Sequence, residues 1–220
     1  FDAPPILTAW ASVAGKKESE GPLQAYFDYT NGDTYFGEKT WEKAECHMQE
    51  IALETLLQKA GKKKQDVDLV FSGDLLNQCI SSSFSLRNTG LPALGLYGAC
   101  STMGESLLLA SMAVSGGFAD QAVAMTSSHF ASSERQYRYP LGYGGQRSPT
   151  AQWTVTGSGA ALVCSKGDGP FVEAATVGTI VDLGITDANN MGAAMAPAAA
   201  STFATFFKDT GTRPEDYDRI

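Results

Sequence analysis

The stretch LPALGLYGACSTMGESLLLASMAVSGGFADQAVAM, residues 91–125, decides the fold class. Residues 91–98 carry no charge and predict a buried strand, which runs directly into Cys100. A helix is predicted next, because apolar and small residues recur at helical spacing until a glycine pair ends them. Residues 122–126 then predict another buried strand. A strand, a helix and a strand in this order indicate a parallel pair joined by a crossover helix.

The same alternation extends toward the N-terminus. Helical spacing of apolar residues begins after Thr40, a predicted N-cap, and stops at Gly61, a residue type that often ends helices. Residues 68–72 predict a buried strand and residues 81–88 a short helix, whereas the first 35 residues predict loop and a short strand. The pattern as a whole predicts an α/β fold, a layered and mostly parallel sheet with helices on its faces.

Composition limits the classes of function. The 220 residues are 43% hydrophobic and 18% charged, as in globular proteins, and the net charge of −8 argues against a nucleic-acid binder. Four scattered cysteines and two histidines predict no metal site. No cofactor is predicted either, because the glycines of residues 157–159 precede a predicted strand, whereas a dinucleotide site requires a helix there. The uncharged residues 188–207 predict a buried helix of a soluble protein, since alanine dominates them and Pro197 interrupts them.

A partial internal repeat divides the chain. Asp66 and Asp216 each open an Asp-x-Asp motif and lie 150 residues apart. The same offset pairs Gly61 with Gly211. A coincidental helix–turn–strand unit would give the same pattern, so duplication and coincidence both remain open at this point.

Cys100 is the first candidate site residue. Its predicted position between a strand and a helix places it at the carboxyl end of the sheet, where α/β proteins bind ligands. The helix N-terminus would stabilise a thiolate there, whereas Glu105 would oppose it if its carboxylate faced the sulfur. A small cysteine that only fills a gap in the core would explain the position equally well.

Asp74, Asn77 and His129 are further candidates, because each follows a predicted core strand. Asp74 and Asn77 either line the same pocket or cap the helix behind them. His129 either reaches that pocket or is satisfied by local hydrogen bonds.

A local reversal of charge marks residues 134–147, where three arginines lie among three tyrosines. Guanidinium groups bind carboxylates through two parallel hydrogen bonds, and tyrosine faces stack on flat rings. A planar aromatic acid would suit a lining of this kind. The alternative is a structural loop whose arginines pair with surface acids, which suits Arg147 better. Residues 130–152 as a whole predict a long loop.

Several motifs resemble known families. The GACST and GFADQAVA motifs resemble the first half of the thiolase and ketoacyl synthase superfamily, which is built from two similar halves. A closer resemblance, to the stage V sporulation protein AD family, extends along nearly the whole chain. It rests on GDLLNQ (73–78), GACST (98–102), TSSH (126–129), ERQ (134–136), RYP (138–140), YGGQ (143–146) and NMGAAMAP (190–197). The resemblance implies a thiolase-like layered fold with residues 1–170 as the first half and residues 171–220 as the truncated start of the second.

The resemblance also implies a function. It is that of a binding protein for dipicolinic acid, pyridine-2,6-dicarboxylate, which works with other stage V sporulation membrane proteins in uptake of dipicolinate into the developing spore. A homodimer without a transmembrane segment, peripheral at the inner forespore membrane, is implied as well. The implied ligand-binding residues are Cys100, Asp74, Asn77, His129, Arg135 and Arg138.

The superfamily also supplies an alternative function. Cys100 stands at the position of the superfamily nucleophile, so a Cys-dependent acyl-CoA thiolase or ketoacyl synthase-type acyltransferase remains open. The histidine and its partner that complete such catalysis belong to the second half of the superfamily fold.

Overall fold

The computed structural model describes residues 1–137, 154–187 and 190–220, and for residues 134–137 the backbone alone. The chain forms two compact units, residues 1–172 and residues 173–220.

The first unit is a six-stranded sheet with helices. Its strands are β1 (Ile6–Ala14), β2 (Tyr29–Thr30), β3 (Leu69–Gly73), β4 (Ala93–Leu96), β5 (Gln121–Ser128) and β6 (Gly157–Cys164). Its helices are α1 (Lys16–Ser19), α2 (Trp41–Ala60), α3 (Ile80–Leu86), α4 (Thr102–Ser115) and α5 (Phe130–Tyr137). The strand order is β2-β1-β6-β5-β3-β4. Only β6 runs against its neighbours β1 and β5, so the prediction of a mostly parallel α/β sheet is confirmed.

Two hydrophobic clusters lie on opposite faces of this sheet. Neighbouring residues of a strand point to opposite faces, and Val70 belongs to the first cluster whereas Phe71 belongs to the second. Leu162 and Val163 divide in the same way on β6. Helix α2 fills the first cluster and α4 the second, so the sheet carries one helix layer on each face.

The ends of α2 follow the predicted capping signals. The Thr40 hydroxyl accepts a hydrogen bond from the Lys43 backbone N–H at 3.3 Å, and Gly61 ends the helix in the left-handed conformation with φ of 62°. Met48 and Leu56 of α2 are fully buried against the sheet.

Three sequence-based expectations need correction. The N-terminal residues form β1, a nine-residue strand inside the sheet, where loop and a short strand were expected. Residues 130–137 form α5 instead of the start of a long loop, and Ala131, Ser132 and Ser133 in its first turn are buried. Residues 138–153, the remainder of that expected loop with Arg138, lie outside the described residues.

The second unit contains α6 (Met191–Thr210), which is as long as α2 and lies 150 residues after it. The Asn190 side chain accepts a hydrogen bond from the Ala193 backbone N–H at 3.2 Å and caps the helix. No residue of α6 is buried, so the expectation of a buried helix is wrong for this structure. None of the described helices combines the length and apolar character needed to cross a membrane.

Candidate functional site

Three parallel strands bring the predicted site residues to one edge of the sheet. Gly73 at the end of β3 pairs with Leu96 at the end of β4 and with Thr126 near the end of β5. Asp74 directly follows β3 and His129 directly follows β5, and the Cys100 turn begins three residues after the end of β4. Because carboxyl ends of parallel strands meet at one edge, the structure places all three segments at the same edge, as predicted.

Gly73 allows the close packing of this edge. A Cβ at Gly73 would collide with the Leu96 carbonyl oxygen and with Cγ2 of Thr102, the first residue of α4. The N-terminus of α4 therefore lies directly against the end of β3, and the Cys100 turn is held beside it.

The turn that carries Cys100 is rigid and contains backbone strain. Residues Ala99–Ser101 form one 3₁₀ turn, in which Ala99 has φ of 48°, an unfavourable value for a residue with a side chain. The Thr102 hydroxyl donates to the Ala99 carbonyl at 2.8 Å and accepts from the Gly98 N–H at 3.2 Å. Cys100 itself is exposed, so the alternative of a buried, gap-filling cysteine does not apply.

A carboxylate oxygen without a hydrogen-bond partner lies next to this turn. A Cβ at Gly98 would collide with Oε2 of Glu105, so that oxygen lies directly against the Gly98 backbone. Among the described residues, this buried oxygen has no hydrogen-bond donor. The Gly98 backbone therefore packs against a buried acceptor that has no partner within the described ranges.

A second strained segment faces the same turn and was not found from the sequence. Gln78 and Cys79 have φ of 63° and 50°. The Cys79 thiol donates a hydrogen bond to the Leu96 carbonyl oxygen at 3.0 Å and so ties this segment to the end of β4. Burial, followed by the charge of Asp74, raises the pKa of Cys79, which favours a structural thiol over a reactive one. Side-chain spacing alone carries no signal for such backbone geometry.

Asp74 acts as a capping residue. It is fully buried, and one of its oxygens accepts hydrogen bonds from the Ser82 backbone N–H and hydroxyl, both at 2.8 Å. The other oxygen accepts from the Leu76 N–H at 2.9 Å. These contacts match the capping alternative, because Ser82 is the third residue of α3. Asn77 begins a short 3₁₀ turn and is exposed.

His129 is held by the backbone and is fully buried. Its Nε2 donates to the Thr34 carbonyl at 2.8 Å, and its Nδ1 accepts from the Ala131 N–H at 3.1 Å. Burial lowers the pKa of His129, which keeps the ring neutral. Both ring nitrogens are occupied, so the alternative of local satisfaction describes His129, and the expectation that its ring contacts a ligand needs correction.

The structure describes the two predicted arginines only in part. Arg135 belongs to α5, which begins directly after His129, but its side chain is not among those described. Arg138 lies outside the described residues. Carboxylate binding by these two arginines stays a prediction.

A separate cavity of about 550 Å³ lies between α2 and α3. Its lining includes Cys46, His47 and Phe84, and the guanidinium carbon of Arg87 stacks 5.1 Å from the centroid of the Phe84 ring. Burial raises the pKa of the Cys46 thiol to about 11, so this cysteine is mostly protonated at neutral pH.

Comparisons with known proteins agree with this geometry. The family SpoVAD, stage V sporulation protein AD, matches residues 1–220. Stage V sporulation protein AD of Bacillus subtilis (strain 168) is 46% identical over 220 residues, and the chain spans 65% of that relative's length.

Solved structures resemble the chain in fold. OleA of Xanthomonas campestris, with bound lauric acid and lauroyl-CoA, has a TM-score of 0.64 at 14% identity and is matched over 98% of this chain and 76% of its own. 3-Oxoacyl-(acyl carrier protein) synthase III, FabH, of Xanthomonas oryzae has a TM-score of 0.60 at 14% identity, with the same coverage. At such identity the likeness concerns the fold alone. The chain therefore has a thiolase-like fold and belongs to the stage V sporulation protein AD family.

Proposed function

We propose that this protein binds dipicolinic acid and acts in its uptake into the developing spore, at the forespore membrane and together with other stage V sporulation membrane proteins. The observation that carries the proposal is the convergence of three strand ends at one edge. This edge holds an exposed Cys100 turn and the start of α5, the helix that contains Arg135. Membership of the stage V sporulation protein AD family supports the same role.

The chemistry of the ligand suits the residues that the sequence predicts to bind it. A pyridine dicarboxylate has two carboxylates and a flat ring, so it requires cationic or N–H donors on a surface that accepts a plane. Arg135 and Arg138 supply the cations, since guanidinium groups bind carboxylates bidentately. The N-terminus of α4 adds a partial positive charge beside Cys100, which the Glu105 carboxylate next to Gly98 opposes. Asp74 and His129 shape the pocket indirectly, by holding the turn before α3 and the start of α5 in place.

Self-association through β4 is part of the proposal. β4 is the last strand on its side of the sheet, and Leu94 is 53% exposed. An exposed apolar edge strand favours pairing with another strand. A second copy of this chain satisfies that edge by pairing β4 with β4.

Isothermal calorimetry of dipicolinic acid against the protein tests the ligand. Saturable binding is expected for the wild type, with the affinity reduced at least tenfold in Arg135→Ala and reduced in Cys100→Ala. Arg87→Ala is the matched control, because Arg87 is an exposed arginine at the end of α3 that stacks on Phe84. No binding by the wild type would reject the proposal, and a loss confined to Arg87→Ala would move the site to the cavity between α2 and α3.

A Cys-dependent acyltransferase is the second candidate. It is favoured by the exposure of Cys100 directly before the start of α4. Incubation with several acyl-CoAs, followed by mass spectrometry of the Cys100 peptide, tests it. A covalent acyl adduct that Cys100→Ala lacks would support this candidate, and its absence with every acyl-CoA would reject it.

A further inference from the structure

Two buried carboxyl groups lie beneath the candidate site. Glu45 of α2 and Asp74 after β3 are both 0% exposed. Buried carboxylates ordinarily need a cationic partner. Within the described part of the chain, the ion pair present joins Lys59 to Asp28. Glu45 and Asp74 are surrounded there by hydroxyl and amide groups instead of a cation.

Gln49 fixes the direction of the hydrogen bonds between these carboxyls. Its Nε2 donates to Ser82 Oγ at 3.1 Å and to Ser127 Oγ at 2.7 Å, which uses both amide hydrogens. The hydroxyl hydrogens of these two serines must therefore point elsewhere. Ser82 donates to Asp74 at 2.8 Å, and Ser127 donates to Oε1 of Glu45 at 2.9 Å.

Ser132 of α5 has a choice of two acceptors. Its single hydroxyl hydrogen lies within reach of Oε2 of Glu45, at 2.8 Å, and of the His129 carbonyl oxygen, at 3.1 Å. When Glu45 is ionised, Ser132 donates to it. When Glu45 is protonated, Glu45 donates from Oε2 to Ser132, and the Ser132 hydroxyl turns to the His129 carbonyl. Both protonation states of Glu45 therefore keep the hydroxyls of Ser82, Ser127 and Ser132 paired, and only one hydroxyl rotation separates them.

The titratable groups around Glu45 come from several elements, and among them Asp74 acts on it as a charge. Asp74 approaches from the turn after β3, Cys46 is next to Glu45 on α2, and the neutral His129 precedes α5. Burial, opposed in part by the Ser132 hydrogen bond and reinforced by the charge of Asp74, raises the pKa of Glu45 to about 7. The proton on Glu45 is therefore exchanged near neutral pH.

We propose that Glu45 is a proton-binding site that controls how firmly α5, and with it Arg135, is held against α2. An ionised Glu45 holds Ser132 by a charge-assisted hydrogen bond, which is about twice as strong as a bond between neutral groups. Protonation replaces it by a weaker bond between hydroxyl groups and loosens the start of α5 locally, in a state in which Glu45 itself stays buried and bonded to Ser127 of β5. The part of this inference that concerns the ligand rests on the proposed binding of dipicolinate. The affinity of the protein for dipicolinate is expected to fall when Glu45 takes up a proton.

Hydrogen exchange of the ligand-free protein tests the proton site. After correction for intrinsic exchange rates, the protection of residues 130–137 is expected to drop about fivefold from pH 8.5 to pH 6. Glu45→Gln imitates the protonated state, because its amide can donate to Ser132, so its protection is expected to be low and independent of pH. Glu50→Gln, an exposed glutamate on the same helix, is the matched control and is expected to behave as the wild type.

A pH-dependent profile that persists in Glu45→Gln would overturn the inference. If Glu45→Gln does not fold, Ser132→Ala serves in its place, since it removes the switching hydroxyl and is expected to abolish the pH dependence.

Calorimetry with dipicolinic acid at pH 6 and pH 8.5 tests the coupling to the ligand. The wild type is expected to bind about fivefold more weakly at pH 6, and Glu45→Gln equally at both pH values. Equal wild-type affinities would overturn the coupling. Absence of binding at both pH values would instead reject the proposed function, while the exchange experiment still decides the proton site.

Discussion

Gly61 and Gly211 end two 20-residue helices in the same left-handed conformation, with φ of 62° and 67°. The similarity continues after each glycine. The Lys63 N–H donates to the Asp66 carboxylate at 2.8 Å, and the Arg213 N–H donates to the Asp216 carboxylate at 2.8 Å. Matching caps and hydrogen bonds at one constant offset favour duplication over coincidence, the two explanations that the sequence repeat left open.

The two terminal glycines are expected to respond alike to substitution. No atom lies within 4 Å of a Cβ added at Gly61 or Gly211, so alanine costs only backbone strain there. Gly61→Ala is expected to lower the free energy of unfolding by about 1 kcal/mol. Gly211→Ala is expected to destabilise α6 by a comparable free energy. Circular dichroism of the helical signal during denaturation measures this loss.

Gly104→Ala is the matched control for these variants, because Gly104 lies within α4 with equally open space and no positive φ. It is expected to raise the free energy of unfolding by about 0.5–1 kcal/mol. A stabilising effect of Gly61→Ala would contradict the strain argument.

Gly73→Ala is expected to disrupt the candidate site. The new Cβ collides with the Leu96 carbonyl oxygen and with Thr102, so β4 and α4 must move apart, at a cost of about 3 kcal/mol in the free energy of unfolding. Urea denaturation measures this loss, and calorimetry measures the accompanying loss of dipicolinate binding. Gly95→Ala is the control on the neighbouring strand, since its Cβ would meet the Cys79 side chain only at 3.7 Å and beyond. Equal effects of the two variants would contradict the role given to Gly73.

Glu45 is expected to make the protein less stable as the pH rises. Its pKa is about 7 in the folded state and 4.5 when exposed, so the folded state binds more protons between these values. Stability from this group is therefore fully present below pH 4.5 and is lost as the pH rises through 7, by about 3 kcal/mol in total. Glu45→Gln is expected to remove this slope and to be more stable than the wild type at pH 8.5. Thermal unfolding over the pH range measures the slope, and an unchanged slope would count against the assignment.

His129 contributes the opposite pH dependence. Its pKa is lowered by burial, so the unfolded state binds more protons below pH 6.5 and stability is lost as the pH falls. At pH 7.5, His129→Ala removes two hydrogen bonds and leaves a cavity, with an expected loss of about 3 kcal/mol. His47→Ala is the comparison, because His47 is only half-buried. The one hydrogen bond described for its ring joins it to the Phe36 carbonyl. Chemical denaturation measures the loss of stability in each variant. Equal losses in the two variants would contradict this prediction.

The four cysteines are expected to differ in alkylation rate. Cys100 is exposed, whereas Cys164 is buried and the pKa of Cys46 is raised to about 11. Cys100 is therefore expected to react first with iodoacetamide at pH 8, and Cys46 roughly 100-fold more slowly than an ordinary exposed thiol. Peptide mass spectrometry measures each rate. Dipicolinic acid is expected to protect Cys100 and not Cys46, and the reverse pattern would place the ligand in the cavity between α2 and α3.

The sequence by itself determined the features that depend on nearby residues. The helix from Thr40 to Gly61 was predictable because its caps and its apolar period are local signals. The same holds for the strand–turn–helix unit around Cys100, whose position at a strand end follows from the order of elements. Motifs spread along the chain identified the family from the sequence alone, because recognising them requires no knowledge of contacts in three dimensions.

Tertiary structure alone decided the features that depend on residues far apart in the chain. β6 enters the sheet between β1 and β5, and this pairing turned the N-terminal residues into a long internal strand. His129 bonds to the carbonyl of Thr34, 95 residues away, which removes its ring from ligand binding. Glu45 meets Ser127 and Ser132, more than 80 residues away, and acquires its raised pKa only when folding buries it. Burial and hydrogen bonding between distant segments set these properties, and neither is encoded in the local order of residues.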